Sequence, residues 1–245
     1  MMRHVLKHDS TVNTEAGFTV IELMIATVVF SVILITITYG VMRFTNSYYK
    51  GVNSSTTQTT AQNAIDAITQ AIQFGSDGTT TETLVGNEGV FCAGSKLFIY
   101  TLGKQYDGTT PNDGNWGLYM IDNPNTASCS KPSSPANGTE LLGKNMRVAN
   151  FDMIQPGGTT SSDPWQVSLR VVYGDADLLC SQHITQTLPA TTPGTCAAGG
   201  ASYAHSPVDT VIPTTVTDLQ CKSQTGSQFC SVAALTAVAQ QRIVH

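Results

Sequence analysis

Charge is scarce in this sequence: Asp, Glu, Lys and Arg make up 12% of the 245 residues, with 17 acids against 12 bases. A formal net charge of −5 provides no clustered excess of Lys and Arg to neutralise a phosphate backbone, so nucleic acid is not an expected partner. Catalytic signatures are missing as well. No G-x-S-x-G, H-E-x-x-H, Walker A or G-x-G-x-x-G string occurs, and no compact carboxylate pair stands apart from loop acids. No C-x-x-C occurs and the histidines lack zinc-ligand spacing, so no metal and no other cofactor is expected. The chain does not read as an enzyme. A repeat of solenoid period is also absent.

Cysteine is confined to one side of the chain. Cys92, Cys129, Cys180, Cys196, Cys221 and Cys230 all lie C-terminal to the one long apolar run. An even count placed there indicates an oxidising compartment and disulfides, against the alternative of buried free thiols in a cytosolic protein. The count alone leaves the connectivity open. Cys221 and Cys230 enclose eight residues including Gly226, which suits a hairpin or tight loop, and are the first expected pair. Cys180 with Cys196, and Cys92 with Cys129, follow if pairing is sequential.

The apolar run itself covers residues 18–42, 25 residues whose one charge is Glu22. As a helix it would span ~37 Å, enough to cross a bilayer, and it shows no polar stripe of the kind a soluble core helix carries. Residues 1–17 form a leader with Arg3, Lys7, His4 and His8, offset by Asp9 and Glu15, and favour a cytoplasmic N-terminus. An ordinary secretory signal, cut near Gly40, is the rival reading, but its apolar core would be shorter.

Beyond the span, residues 43–75 continue as an amphipathic helix: Ala61, Ile65, Ile68 and Ile72 make one stripe, and Gly75 with Asp77-Gly78 supplies a stop. Gly51 and Asn53 to Thr57 have low helix propensity, so the helix could locally melt there, the alternative being a solvated helix face. Residues 76–245 read as a disulfide-stabilised β-rich domain of short runs between Gly, Pro, Asn and Asp clusters. Trp165 to Tyr173 alternates as a half-buried strand, with Arg147 to Ile154 as its antiparallel neighbour. Lys96 to Leu102, Gly117 to Ile121 and Phe229 to Ala239 are further strand candidates, the last also readable as a helix. The fold class expected is α+β, one long N-terminal helix packed on an antiparallel sheet. Asp175 and Asp177 could ligate calcium but read better as turn acids.

Glu22 is the polar residue that needs a reason. A carboxylate at bilayer depth costs ~2.5 to 3.5 kcal/mol or more, so it should have a partner or reach the headgroups from the helix end.

The string Gly17-Phe18-Thr19-Val20-Ile21-Glu22-Leu23-Met24-Ile25-Ala26 resembles the leader junction of type IV pilins and type II secretion pseudopilins. The resemblance covers about residues 16–45. It implies that a prepilin peptidase cuts after Gly17 and methylates the new N-terminal Phe18. Glu22 would be the assembly residue, pairing with the freed amine of a neighbouring subunit. Where major pilins commonly carry proline, this chain has Tyr39, so it looks more like a minor pilin or a J-type pseudopilin. Leu142 to Leu178 and Phe229 to Leu235 are similar to the strand pair and closing segment of those larger members.

The implied location is a single pass through the inner membrane with the C-terminal domain extracytoplasmic, and then a filament. The implied partners are the peptidase, other pilin or pseudopilin subunits, the membrane, and indirectly an assembly platform protein and a motor ATPase. The function expected is structural, a minor subunit that primes or decorates the filament. The competing expectation is a surface adhesin or DNA-uptake tip on the same scaffold, with Trp116, Tyr119 or Trp165 as exposed anchors unless those rings serve the core.

Overall fold

A computed structural model of the chain describes residues 17–75, 82–85, 88–108, 117–122, 129–132, 138–156, 163–175, 178–181, 219–221 and 226–242. The chain divides into two compact units, Met1–Thr45 and Asn46–His245. One helix, α1 (Val20–Phe74), passes through both. In the first unit every described residue up to Phe44 is exposed, and the most apolar stretch has a mean hydropathy of 2.7 with none of it buried. The helix is long and apolar enough to cross a membrane.

Five hydroxyls interrupt this apolar surface without leaving polar groups open. Thr27 donates to the carbonyl of Met24, Ser31 to that of Thr27, Thr36 to that of Val32, Thr38 to that of Leu34 and Thr45 to that of Val41, at 2.7–2.9 Å. Each hydroxyl folds back on its own helix. That is how a helix carries Ser and Thr into hydrocarbon.

In the second unit α1 changes character. Thr57, Ala61, Ala64, Ile65, Ile68 and Ile72 are buried, at the three- and four-residue spacing of one helix face. They pack against two antiparallel sheets. The larger comprises β1 (Thr83–Val85), β2 (Glu88–Ala93), β3 (Lys96–Thr101), β4 (Leu118–Asp122) and β5 (Gly138–Glu140), in that order. The smaller has β6 (Met146–Ile154), β7 (Trp165–Tyr173) and β10 (Ser231–Ala239), with β7 central. Two short strands, β8 (Leu179–Ser181) and β9 (Leu219–Cys221), pair with each other. The architecture is α+β, with one helix on antiparallel sheet.

The sheets meet where Leu102 bridges Val148 and the Gly103 amide donates to the Val148 carbonyl at 2.8 Å. Arg147, 2% exposed, secures this seam. Its guanidinium donates to the carbonyls of Gly103 and Gly174 and to the side-chain oxygen of Gln105 at 2.8–3.3 Å. Beneath α1 the stacked rings of Phe91, Phe98 and Phe151, with Tyr100 tilted on Phe151, fill the centre at centroid spacings of 4.8–4.9 Å.

Low helix propensity at Gly51 and Asn53 to Thr57 does not melt the helix, which is continuous there. Tertiary contacts override it: Thr57 is fully buried with its hydroxyl on the Asn53 carbonyl, and the Asn53 amide donates to the Gln228 carbonyl at 3.0 Å.

The helix stops at Gly75 as expected, while Asp77-Gly78 lies outside the described residues. The chain's C-terminal end closes this terminus. Arg242 N–H donates to the Gln73 carbonyl at 3.1 Å, and the Gln241 amide donates to the Gly75 carbonyl at 2.9 Å. The Arg242 guanidinium lies 5.0 Å from the Phe74 ring centroid, placing a cation at the negative end of the helix dipole. Gly75 also abuts Gly94, at the β2–β3 turn, so closely that a Cβ on either would enter the other's backbone.

Disulfides join Cys92 to Cys129 and Cys221 to Cys230. The first draws the segment at Cys129 over the outer face of the larger sheet, where Leu97, Ile99, Tyr119 and Ile121 form a second apolar cluster. The second ties β9 to the start of β10. Cys196 lies outside the described residues, so the expected Cys180–Cys196 pair does too.

Gly94 combines a positive φ of 54° with this close approach, so Gly94→Ala is expected to destabilise the domain by ~1 kcal/mol or more. Ile68→Ala should cost ~2–5 kcal/mol through the cavity it leaves under α1. Urea denaturation of the detergent-solubilised chain, followed by tryptophan fluorescence, measures both; unchanged midpoints would contradict the packing described.

Candidate functional site

The residues singled out by the sequence gather at the start of α1. Gly17, Phe18 and Thr19 precede the helix in non-helical conformation, and all three are exposed, Phe18 by 88%. Gly17 has no conformational duty of its own, since a Cβ added there would meet nothing within 4 Å. A requirement for glycine at this position therefore has to come from whatever binds the junction.

Thr19 and Glu22 form a reciprocal cap. Thr19 N–H donates to Glu22 Oε2 at 2.9 Å, the Thr19 hydroxyl donates to the same oxygen at 2.9 Å, and Glu22 N–H donates to Thr19 Oγ1 at 3.3 Å. This is a capping box, in which the threonine opens the helix and the glutamate three residues on turns back to cover its amide. A negative group here also meets the positive end of the helix dipole. Glu22 thus has a partner within its own chain. The Thr-x-x-Glu spacing of a capping box is readable in the sequence at Thr19 and Glu22.

The cap uses Oε2. Among the described residues no donor is placed on Oε1, so the second oxygen can take a further donor without dismantling the cap.

Elsewhere, strained titratable groups would be the usual mark of catalysis. Glu140 is one: burial raises its carboxyl above the ordinary range against the opposing pull of backbone amides. It accepts from the amides of Leu118 at 2.7 Å, Gly117 at 3.2 Å and Leu142 at 3.2 Å, so its role is to bind β5 to the start of β4. Glu82 is another, pushed up to about 7 by burial and by the neighbouring Asp152, and burial also raises the Tyr106 hydroxyl. No group of three or more His, Cys, Asp or Glu that could hold a metal exists among the described residues. Of the aromatic anchors weighed for a binding role, Tyr119 is 4% and Trp165 6% exposed and both belong to the core clusters; Trp116 lies outside the described residues.

The fold and this junction define an α+β protein whose long helix begins as a candidate membrane span and ends in the core of a disulfide-bonded domain. No protein-family profile matches the chain, and no curated protein and no solved structure is significantly similar to it.

The Glu82 carboxyl gives the domain a pH dependence. Its folded-state pKa lies above the unfolded value of 4.5, so the native state holds the proton longer, and stability falls as pH rises from about 4.5 through about 7. Thermal unfolding at pH 5 and pH 8 should show Glu82→Gln narrowing this gap, by on the order of 1 kcal/mol once solvent screening of a part-exposed carboxyl is allowed for, while Glu140, raised by burial as well, keeps its own share. A gap unchanged by the substitution would remove Glu82 as its source.

Proposed function

We propose that this chain is a prepilin-like structural subunit: anchored by α1, cut between Gly17 and Phe18, methylated on Phe18, and assembled as a minor pilin or pseudopilin into a filament. The observation that carries this reading is the division of labour within α1. Its first part is apolar on every side, with its hydroxyls turned inward, and its second part is the buried stripe of the domain. A helix of this kind can exchange lipid for the apolar helices of neighbouring subunits without altering the domain that it carries.

The junction supports the same reading. Gly17 and Phe18 are exposed, lie just outside the helix, and end at a cap whose donors and acceptors all lie C-terminal to the proposed cut. The peptidase, neighbouring subunits, platform protein and motor ATPase are the partners this proposal requires. The domain faces the extracytoplasmic side before assembly.

Glu22 then has two separable roles, capping α1 and pairing with a neighbour's amine. Glu22→Gln keeps an acceptor for Thr19 N–H and removes the charge, whereas Glu22→Ala removes both. Both variants should be cleaved and remain in the membrane, and both should be lost from sheared filaments, at least ~10-fold for a charge-assisted bond worth 1.5–3 kcal/mol. Normal incorporation of Glu22→Gln with loss of Glu22→Ala would reduce Glu22 to a helix cap. Gly17→Leu, at a position where an added Cβ meets nothing within 4 Å among the described residues, should instead leave the leader attached.

A further inference from the structure

We propose that β10 is an attachment edge, where an uncharged extended segment of another polypeptide, with large apolar side chains at alternate positions, adds to the smaller sheet as a fourth strand. The site lies wholly within the second unit and depends neither on the membrane span nor on filament membership.

A sheet edge pairs with other chains unless short length, charge, proline, a bulge or a covering element blunts it. The two larger sheets have four edges, bounded by β1, β5, β6 and β10, and three of them are blunted. β1 and β5 have three residues each. β6 is broken by a register shift between Val148 and Asn150, and Leu102 bridges it at Val148. β10 has none of these devices. It runs for nine residues, pairs residue for residue with β7 without a shift, and contains no charge, proline or glycine.

In an antiparallel ladder, alternate residues turn their N–H and C=O away from the neighbouring strand. On β10 these groups point away from β7, and among the described residues none of them is hydrogen-bonded. The side chains along this edge are incompletely covered as well. Leu235 and Ala237 face the core opposite Leu169 and Val167, yet they are half-buried where their β7 partners are buried. On the other face Ala234 and Thr236 are exposed, and Val238 is 64% exposed. A strand laid beside β10 would cover both faces.

The edge defines the chemistry of its occupant. A row of main-chain donors and acceptors is matched by another main chain in extended form. Neither face of β10 offers a charge, so a charged side chain on the added strand would lose water without gaining a partner. On the core-facing side, Ala233, Ala237 and Ala239 flank Leu235 and leave room for large side chains across from them. A second copy of β10 fits this poorly. Paired with itself about Leu235, the strand sets Ala233 against Ala237, small against small.

The probe is an end-capped peptide alternating isoleucine and threonine, matched in length to the nine residues of β10 and added to the full chain in detergent micelles. It should bind, and hydrogen exchange should slow at alternate β10 amides, those that point away from β7 and exchange freely in the chain alone. The same peptide N-methylated at every amide, or with lysine in place of each isoleucine, should bind at least ~10-fold more weakly. Absence of binding, equal binding of the N-methylated peptide, or exchange along β10 unaltered by the peptide would overturn the proposal. Outward β10 amides already protected in the monomeric chain would overturn it in favour of cover by the chain's own residues. Protection that appears only as the chain dimerises would overturn it in favour of a second copy.

Discussion

A helix that is apolar on every side cannot remain in water, and a helix that is apolar on one side cannot remain in lipid without burying its polar half. α1 meets both conditions in succession along its sequence. Val20 to Phe44 is exposed along its length, and the hydroxyls of Thr27, Ser31, Thr36 and Thr38 close on the helix's own carbonyls. From Thr57 onward the burial becomes one-sided, and Ile65, Ile68 and Ile72 enter the aromatic layer of Phe91 and Phe151. The remainder of the domain is organised around that stripe.

This explains why both ends of the second part of the helix are tied down by residues remote in sequence. At its start, Asn53 and Tyr49 meet the turn that Cys230 anchors. At its end, Gln241 and Arg242 cover the last carbonyls and Gly94 presses on Gly75. The strand that connects these two points is β10, which pairs along its whole length with β7. One C-terminal segment therefore clamps the helix at two levels. A disulfide at its first contact restricts the unfolded chain and makes the clamp harder to open.

The elements legible in the sequence were those with an uninterrupted period. Trp165 to Tyr173 is a strand with the expected limits because its alternation is unbroken, and the stripe on α1 was visible because isoleucine recurred at helical spacing. Phe229 to Ala239 admitted either strand or helix; nine-residue pairing with β7 decides for strand from Ser231, with a 3-10 turn before it. The continuity of α1 through Gly51 to Thr57 was not legible, because its cause is a partner 175 residues away. Strands β1, β2, β5, β8 and β9 carried no clear alternation, being short or buried on both faces. At the junction, Gly17, Phe18 and Glu22 stood out by resemblance, while Thr19 passed unnoticed although it makes the cap. Cross-chain seams such as Arg147 with Gly103 and Gly174 depend on tertiary register and leave no local mark.

In the proposed function α1 is retained whole as both anchor and core, and the chain is cut just before it. Intact-mass and N-terminal peptide analysis of the protein recovered from cell membranes tests this most directly. The expected result is loss of residues 1–17, a first residue Phe18 carrying one added methyl group on its amine, and retention of every residue of α1. A mature chain beginning near Gly40, with the apolar run removed, would contradict it.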